Sequence, residues 1–467
     1  MNNLTRYRVK SSLVSFFNGK LYPIIVGALA LVASVFGIEI ILWPIAAVLF
    51  FAASALVESA RSLIITFVAF CFFISQQHSP SHTVSGIYGD GGTDYYFTEW
   101  RLALAVFTVL LIVGGSVFFF VKNKRYKRVS PKRDALFIPA LMLSLSFIIG
   151  GSFTAGFNES VFLAIGEAAV FSVFYFLFFY GFSESESPEE LMMYFSYVSA
   201  IISVVIMLQM SILYITSDII FVDGAINKEG VILGWGIWTL IGISLVMLIP
   251  ALFYGAVKGG KGGIAYFVIA TFTVLFALLS MSRAAQLLGV LTYVGCVAIA
   301  TFKSKNRFFY RVYLSAIFVL GAALALLIAD RIPTLVLSFF DDNGRVEHAK
   351  IAIGNFLSAP VFGVGFGGFE SITALPESLS PMGPLSAMAH CTPLQLLSAT
   401  GIFGLFAYIL YRVASIVPVL KKRNVHSIFA LLCSSVVFVG GLIDNFPFDI
   451  YPMFYSIIAL AISHKES

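Results

Sequence analysis

Long apolar runs separated by short polar segments dominate the pattern along the chain. Most runs have about the length that a helix needs to cross the hydrocarbon core of a bilayer, about 20 residues. The runs are apolar on every face, whereas strands of a membrane barrel alternate polar and apolar positions. The pattern predicts an all-α polytopic membrane protein with about 12–14 transmembrane helices. The predicted spans are Leu21–Gly37, Ile40–Val57, Ser62–Ser75, Leu102–Val121, Ala135–Gly151, Val161–Tyr180, Leu191–Ile215, Val231–Tyr254, Ile264–Leu279, Ala284–Phe302, Val312–Ala329, Pro393–Leu420, Ile428–Ile443 and Phe448–Ser463.

The composition supports this interpretation. Of the 467 residues, 59% are hydrophobic and only 11% are charged, whereas soluble domains carry about 25% charged residues. The net charge of +5 lies in short loops between apolar runs, which is typical of membrane proteins rather than of nucleic-acid binding. We expect a single transmembrane domain over residues 1–467.

The basic residues indicate an orientation. With the N-terminus placed inside, the inner segments hold 22 Lys and Arg and the outer segments hold six. Because cytoplasmic loops are enriched in Lys and Arg, both termini are expected in the cytoplasm of a bacterial cell, with the chain in its inner membrane. The six outer residues are Arg101, Lys228, Arg283, Arg331, Arg345 and Lys350.

One inner loop, Ser183–Glu190, is acidic and departs from this trend. It has the features of a helix start, with Ser187 as the cap, Pro188 in the first helical position, and Glu189 and Glu190 in the first turn. We therefore predict that a helix begins at this point.

Two predicted outer loops are long, Gln76–Trp100 and Asp330–Ala389. The second, residues 330–389, is long enough to carry short helices inserted between spans, and long loops of this kind are often functional. A helix is expected to begin near Arg345, because Val346, Ala349, Ile353 and Phe356 recur at helical spacing. A cation in the first turn works against the helix dipole, so an anionic ligand would explain Arg345. A solvated loop charge is the alternative.

Arg283 stands between two apolar runs joined by almost no loop. A charge within the membrane is costly and is treated as a functional hypothesis by default. Ser282 can cap the following helix, so that its positive dipole end lies beside the guanidinium and favours a phosphate. An arginine that reaches the lipid headgroups is the alternative explanation.

The segment Gly363–Gly368 matches the glycine pattern of dinucleotide-binding loops, but no alternation of strands and helices surrounds it. We therefore exclude a dinucleotide site. Gly363 and Gly365 allow the backbone to approach a neighbour closely. That neighbour is either a pyrophosphate or another part of the chain in a re-entrant turn.

His390 opens the run that returns to the membrane. Its imidazole can accept a proton from a hydroxyl near neutral pH, which suits a general base. A hydrogen-bonded histidine at headgroup level is the alternative. We find no convincing spacing of metal ligands and expect neither a metal nor a cofactor.

Together these motifs resemble the O-antigen ligase and O-antigen polymerase family. The resemblance covers roughly Val231 to the end, and its last block is the most specific. Two positions depart from the family pattern, since Cys391 stands where Asn is usual and Ala399 where Glu is common. The motifs are Arg283 in its Ser-x-Ser-Arg setting, Gly344-Arg345, Pro360-x-x-Gly363-x-Gly365, and His390-x-x-x-Leu394-Gln395 followed by Gly401-x-x-Gly404.

The resemblance implies a GT-C-like, inverting membrane glycosyltransferase with an outward-facing site. The implied donor is a glycan on polyprenyl pyrophosphate, and the acceptor is a glycan, a lipid A core or a protein. Membrane lipid and, for a polymerase of O-antigen or capsule, a chain-length regulator are further implied partners. Arg283 and Arg345 would bind pyrophosphate, His390 would act on the acceptor hydroxyl, and Lys228 is a weak candidate for another basic position.

Two other classes stay open. The first is a lipid-linked glycan flippase or another secondary transporter, since many spans suit either function. The second is a non-catalytic subunit of a polysaccharide export complex. The unusual residues gather on one predicted face around one large loop, which favours an enzyme. The sequence does not separate a ligase from a polymerase.

Overall fold

The structure, a computed structural model, is a bundle of α-helices, with two short hairpins in the part of the chain that it describes. Within each hairpin the strands pair antiparallel. The described residues are 3–36, 39–66, 68, 99–130, 134–154, 159–216, 221–222, 225–226, 231–233, 236–327, 345–365, 389–422, 424–443 and 450–465.

The helices occupy the apolar runs of the sequence. They are α1 Asn3–Asn18, α2 Leu21–Phe36, α3 Glu39–Leu56, α4 Glu99–Lys122, α5 Phe137–Thr154, α6 Glu159–Gly181, α7 Pro188–Thr216, α8 Trp238–Lys258, α9 Gly263–Leu279, α10 Arg283–Lys303, α11 Arg307–Leu327, α12 Arg345–Ser358, α13 Thr392–Lys422, α14 Val425–Gly440 and α15 Ile450–His464. The strands are β1 Phe221–Val222, β2 Ala225–Ile226, β3 Ile232–Leu233 and β4 Gly236–Ile237.

The predicted all-α polytopic membrane fold is confirmed. Each predicted span coincides with a helix except the third, Ser62–Ser75, most of which lies outside the described residues. In the described part of the chain, five helices are long and apolar enough to cross a bilayer alone, and six if the bent pair α1–α2 counts as one span. The number of spans stays a prediction.

Two details of the predicted pattern are wrong. The eighth span was expected from Val231, but the chain forms the β3–β4 hairpin first and α8 begins at Trp238. The β-branched Val231 and Ile232 favour a strand, and Gly236 is a poor helix former. The N-terminal helix α1 was not predicted, because its polar composition has no clear apolar stripe.

Helix α8 forms the centre of the bundle and is buried along almost all of its length. It packs against α7, α9, α10 and α14. A separate pair, α12 and α13, packs together, and α13 also packs against α5. The predicted chemistry-bearing residues lie on this second group and at the start of α10.

A polar cluster ties several helix ends together at one end of the bundle. Glu186, 11% exposed, pairs with Arg61 at 3.3 Å and accepts hydrogen bonds from the Ser59 hydroxyl and from Ser183 N, the latter at 3.1 Å. Lys465 donates to the Ser183 carbonyl, and burial lowers the pKa of its ammonium. We call these five residues the Glu186 cluster. This cluster explains the acidic composition of Ser183–Glu190, because carboxylates of that loop neutralise basic residues of its neighbours.

The predicted helix start beside this cluster is confirmed. Helix α7 begins at Pro188, and Ser187 and Glu190 form a capping box. Glu190 N donates to Ser187 Oγ at 3.2 Å, and Ser187 N donates to Glu190 Oε2 at 3.1 Å. Both bonds satisfy backbone donors that the first helical turn leaves open.

Candidate functional site

Helix α12 begins at Arg345 among the described residues, as the helical spacing predicts. The helical spacing alone left open which face of α12 is buried. The buried face carries His348, Ile351, Ala352 and Asn355, while the predicted apolar stripe faces outward, with Val346 52% and Ile353 46% exposed. In a membrane protein lipid can cover an apolar face, so the polar face is free to pack against α13.

His390 lies in a tight turn just before α13. Ala389 N donates to the Oε1 atom of Gln395 at 2.9 Å, so a side chain from the start of α13 stabilises the backbone just before His390. Thr392 N donates to the Gly441 carbonyl at 2.7 Å, which joins the start of α13 to the segment after α14. Gln395 and Thr392 are fully buried. The backbone around His390 is therefore fixed by two neighbouring segments.

Arg345 and His390 line the same cavity of about 260 Å³. Arg345 is exposed, and no ion pair to its guanidinium is present among the described residues. The remaining lining is mostly apolar. It consists of Ala349, Ala389, Cys391, Leu394, Leu442 and Ile443.

A second histidine, His348, packs against His390. The ring centroids are 5.2 Å apart and the planes meet at 77°, which is an edge-to-face contact. His348 is 6% exposed and belongs to the buried face of α12. Sequence reasoning missed it. The available signal was the seven-residue spacing of His348 and Asn355, which places two polar side chains on one helical face.

The glycine-rich loop after α12 pairs with a break in α13. Helix α13 is interrupted at Gly401, whose backbone is not helical. The loop supplies backbone partners to the residues around this break. Hydrogen bonds of 2.9 Å run from Gly363 N to Ala359 O, from Val364 N to Ser398 O, from Gly365 N to Ala399 O and from Ile402 N to Pro360 O.

Glycine is required on both sides of this contact. Gly363 has φ of +73° and a Cβ there would lie 2.3 Å from the carbonyl carbon of Ala399. Gly401 has φ of +65° and a Cβ there would lie 2.4 Å from the carbonyl carbon of Val361. Of the two neighbours that the sequence left open for the loop, the structure places another part of the chain there. The amides of Gly363 and Gly365 donate to the chain itself.

Arg283 begins α10 directly after a sharp turn. The predicted cap is present, since Ser282 Oγ accepts from Ala285 N at 3.3 Å. Met281 has φ of +60°, a left-handed backbone that is uncommon for a residue with a side chain. Gln286 Nε2 donates to the Leu278 carbonyl at 3.1 Å and holds the turn closed. Strain of this kind often marks a functional segment.

Helix packing places Arg283 at the same end of the bundle as the cavity. Tyr293 of α10 contacts Phe253 at 5.2 Å, and Phe429 of α14 contacts the next residue, Tyr254, at 6.1 Å. From this common level Arg283 is reached by about 15 Å of helix rise along α10, and Leu442 by about 20 Å along α14. Helix α10 runs parallel to α8, since Gly242 lies against Ala285 and Gly289 against Val246. Helix α14 runs antiparallel to α8, since Cys433 lies at Ala251 and Phe429 at Tyr254. The start of α10 and the end of α14 therefore lie at the same end of the bundle.

The opposite end of α14 meets the Glu186 cluster region, where His426 Nδ1 lies 3.1 Å from Glu189 Oε1. The cavity and the cluster therefore occupy opposite ends of the bundle. Lys228 lies outside the described residues, as does most of the 330–389 loop. Among the described residues, no group of three or more His, Cys, Asp or Glu side chains is placed to hold a metal ion.

The fold and the site together define a polytopic membrane protein with an amphipathic cavity at one end. Residues 265–409, less than a third of the chain, match the family model described as O-antigen ligase. This segment contains Arg283, Arg345 and His390. The match supports assignment to the O-antigen ligase and polymerase family, an enzymatic role, and a function of that general type. A comparison with curated proteins gives no match.

Proposed function

We propose that the chain transfers a glycan from polyprenyl pyrophosphate to an acceptor hydroxyl, with inversion at the anomeric carbon. The observation that carries the proposal is the common cavity of Arg345 and His390 within the segment that matches the family model. One cation to bind the leaving phosphate and one imidazole to accept a proton are what such a displacement needs. The mostly apolar remainder of the lining suits a lipid-linked substrate.

In the proposed reaction the acceptor oxygen attacks the anomeric carbon of the donor glycan. The bond from that carbon to the pyrophosphate oxygen breaks, and the electron pair leaves with polyprenyl pyrophosphate. The proton of the acceptor hydroxyl passes to His390. Pyrophosphate is a good leaving group, so no separate acid is required.

Arg345 and Arg283 are the proposed phosphate ligands. Arg345 is exposed at the cavity, and a guanidinium can grip two phosphate oxygens at once. Arg283 adds a second cation beside a capped helix start, where backbone amides favour an anion. Negative charge grows on the pyrophosphate as the bond breaks, so these contacts strengthen toward the transition state. Gly363 and Gly365 are assigned a structural role here, because their amides are already engaged.

We further propose that the cavity faces the extracytoplasmic side of a bacterial inner membrane. The support is the distribution of Lys and Arg, with 22 residues at the opposite face and six at this one. The acceptor is then a second lipid-linked glycan, a lipid A core or a protein, and membrane lipid carries the donor to the cavity. We also propose Lys228 as a further basic residue for the donor, and a chain-length regulator as a partner if the chain is a polymerase.

Reconstitution into proteoliposomes tests this function against transport. The purified chain is supplied with an oligosaccharide on polyprenyl pyrophosphate and an acceptor glycan, and both product and tracer flux are measured. We expect a new glycosidic bond and released polyprenyl pyrophosphate. Flux of the donor across the bilayer without product would instead establish a flippase. Wild-type glycan export in cells with Arg345→Ala and His390→Ala would indicate a non-catalytic subunit.

The glycan profile of a deletion strain separates the two enzymatic outcomes. Loss of chain lengthening indicates a polymerase, because single repeat units then remain on the lipid. Lipid-linked polymer without attachment to a lipid A core or a protein indicates a ligase.

A further inference from the structure

We infer that His348 is a positioning residue that holds the His390 imidazole toward the cavity. This inference rests on the proposed function, in which His390 is the base. The two rings meet edge to face with centroids 5.2 Å apart, within the range that aromatic pairs prefer. His348 does not line the cavity. It therefore acts through His390 rather than on the substrate.

The two histidines differ in how firmly their surroundings hold them. His348 is 6% exposed and sits among Ile351, Ala352 and Asn355 on the packed face of α12. His390 is half-buried at the cavity rim, in a turn rather than a helix. A side chain at a rim can adopt several rotamers unless a neighbour restricts it. The fixed ring of His348 supplies that restriction.

The helix that carries His348 is itself tied to α13. Asn355 Nδ2 donates to Ser398 Oγ at 3.2 Å, two turns after His348 on the same face. The loop after α12 adds backbone bonds from Val364 to Ser398 and from Gly365 to Ala399. These hydrogen bonds fix the distance between α12 and the start of α13, where His390 lies.

The short helix α12 then carries both the proposed ligand of the donor phosphate and the residue that positions the base for the acceptor. Arg345 stands three residues before His348, so the proposed phosphate ligand and the residue that orients the base are neighbours on α12. A shift of α12 would move both at once. Helix α12 therefore positions the leaving pyrophosphate and the base relative to each other.

The experiment compares His348→Ala with His348→Phe in the proteoliposome transfer assay, using the full chain. Removing the ring takes away its contact with His390, and a misplaced group costs about 10²-fold in rate. We expect His348→Ala to lower kcat by about 10- to 100-fold and to leave KM for the lipid-linked donor unchanged. Phe keeps the ring contact, so His348→Phe should recover most of kcat. Ile353→Ala, on the exposed face of the same helix, is the matched control and should behave as wild type.

Two results would overturn the inference: wild-type kcat in His348→Ala, whatever its donor KM, or a His348→Phe variant as slow as His348→Ala. If His348→Ala does not fold, the kcat of His348→Phe tests the inference. A wild-type-like kcat supports a role of ring packing at position 348, and a low kcat excludes that role. His390→Ala in the same assay tests the proposed function separately from the inference about His348. Transfer retained in His390→Ala removes the proposed function itself, whereas transfer lost there but normal in His348→Ala removes only the inference.

Discussion

Both ends of the bundle carry an arginine, but one arginine is paired with a carboxylate and the other faces a cavity. In the Glu186 cluster, Arg61 pairs with Glu186 at 3.3 Å, and the serines and Lys465 complete a closed set of contacts. At the cavity, Arg345 is exposed and has no ion pair among the described residues. A paired arginine stabilises the fold, whereas an arginine facing a cavity without a carboxylate has its charge available for a ligand. The predictions below test this contrast.

The largest effect is expected from removing the cavity arginine. Arg345→Ala should lower the transfer rate by about 10²–10³, because a donor that stabilises developing charge is lost. Arg345→Lys should also be poor, since Lys keeps the charge but not the planar fork. Arg283→Ala should fail in the same way. The rates are measured on purified chains with a lipid-linked donor.

Lys350→Ala is the control for these changes. Lys350 lies on the same helix and forms an exposed pair with Glu347 at 2.6 Å, away from the cavity. It should retain full transfer. The assignment of the two arginines fails if neither Ala variant weakens transfer or donor binding.

A second large effect is expected at the contact between the glycine loop and the break in α13. Gly363→Ala introduces a Cβ 2.3 Å from the carbonyl carbon of Ala399 at a backbone with positive φ. We expect a loss of more than about 3 kcal/mol of stability, visible as loss of folded protein in detergent. Gly354→Ala on α12 meets no atom within 4 Å and should be neutral or better. A stable, active Gly363→Ala protein would contradict the described contact.

A moderate effect is expected from modification of Cys391. This thiol lines the cavity, whereas Cys296 and Cys433 are fully buried. In a Cys71→Ser background, an impermeant maleimide added outside intact cells should label Cys391 and lower transfer, because the adduct occupies part of the cavity. Bound polyprenyl pyrophosphate should slow the labelling. Cys391→Ser should transfer normally and resist the reagent, and labelling only after cell lysis would reverse the proposed orientation.

The smallest effect on activity is expected in the Glu186 cluster. Glu186→Gln should lower the free energy of unfolding by about 1–3 kcal/mol, because Arg61 loses a partly buried charged partner. Transfer per folded molecule should not change. Glu184→Gln is the matched control, since Glu184 pairs with Arg128 but is 80% exposed, and exposed pairs contribute about 0–1 kcal/mol. Thermal unfolding measures both, and a specific loss of turnover in Glu186→Gln would break the contrast.

Much of this account could be predicted from the sequence because it depends on local patterns. Apolar runs predict membrane helices, and the helix starts at Pro188 and Arg283 follow from the preceding serines. Arg283, Arg345 and His390 could be singled out because charged and titratable residues are rare on that predicted face.

Other features depend on contacts that no local pattern reveals. The spacing of Val346 and Ile353 predicted the helix α12 but not its buried face, because either lipid or protein can cover an apolar stripe in a membrane protein. His348 lies in an ordinary helical segment and becomes notable only beside His390. The role of Gly363 required knowledge of the break at Gly401, which is distant in sequence.

The central claim is that Arg345 in the cavity and Arg283 at the same end of the bundle bind the donor, and that His390 activates the acceptor. The most direct measurement is donor binding and glycan transfer by purified His390→Ala. The account predicts wild-type binding of a lipid pyrophosphate together with loss of transfer, since the phosphate ligands remain and the base is gone. Near-wild-type transfer by His390→Ala would contradict it.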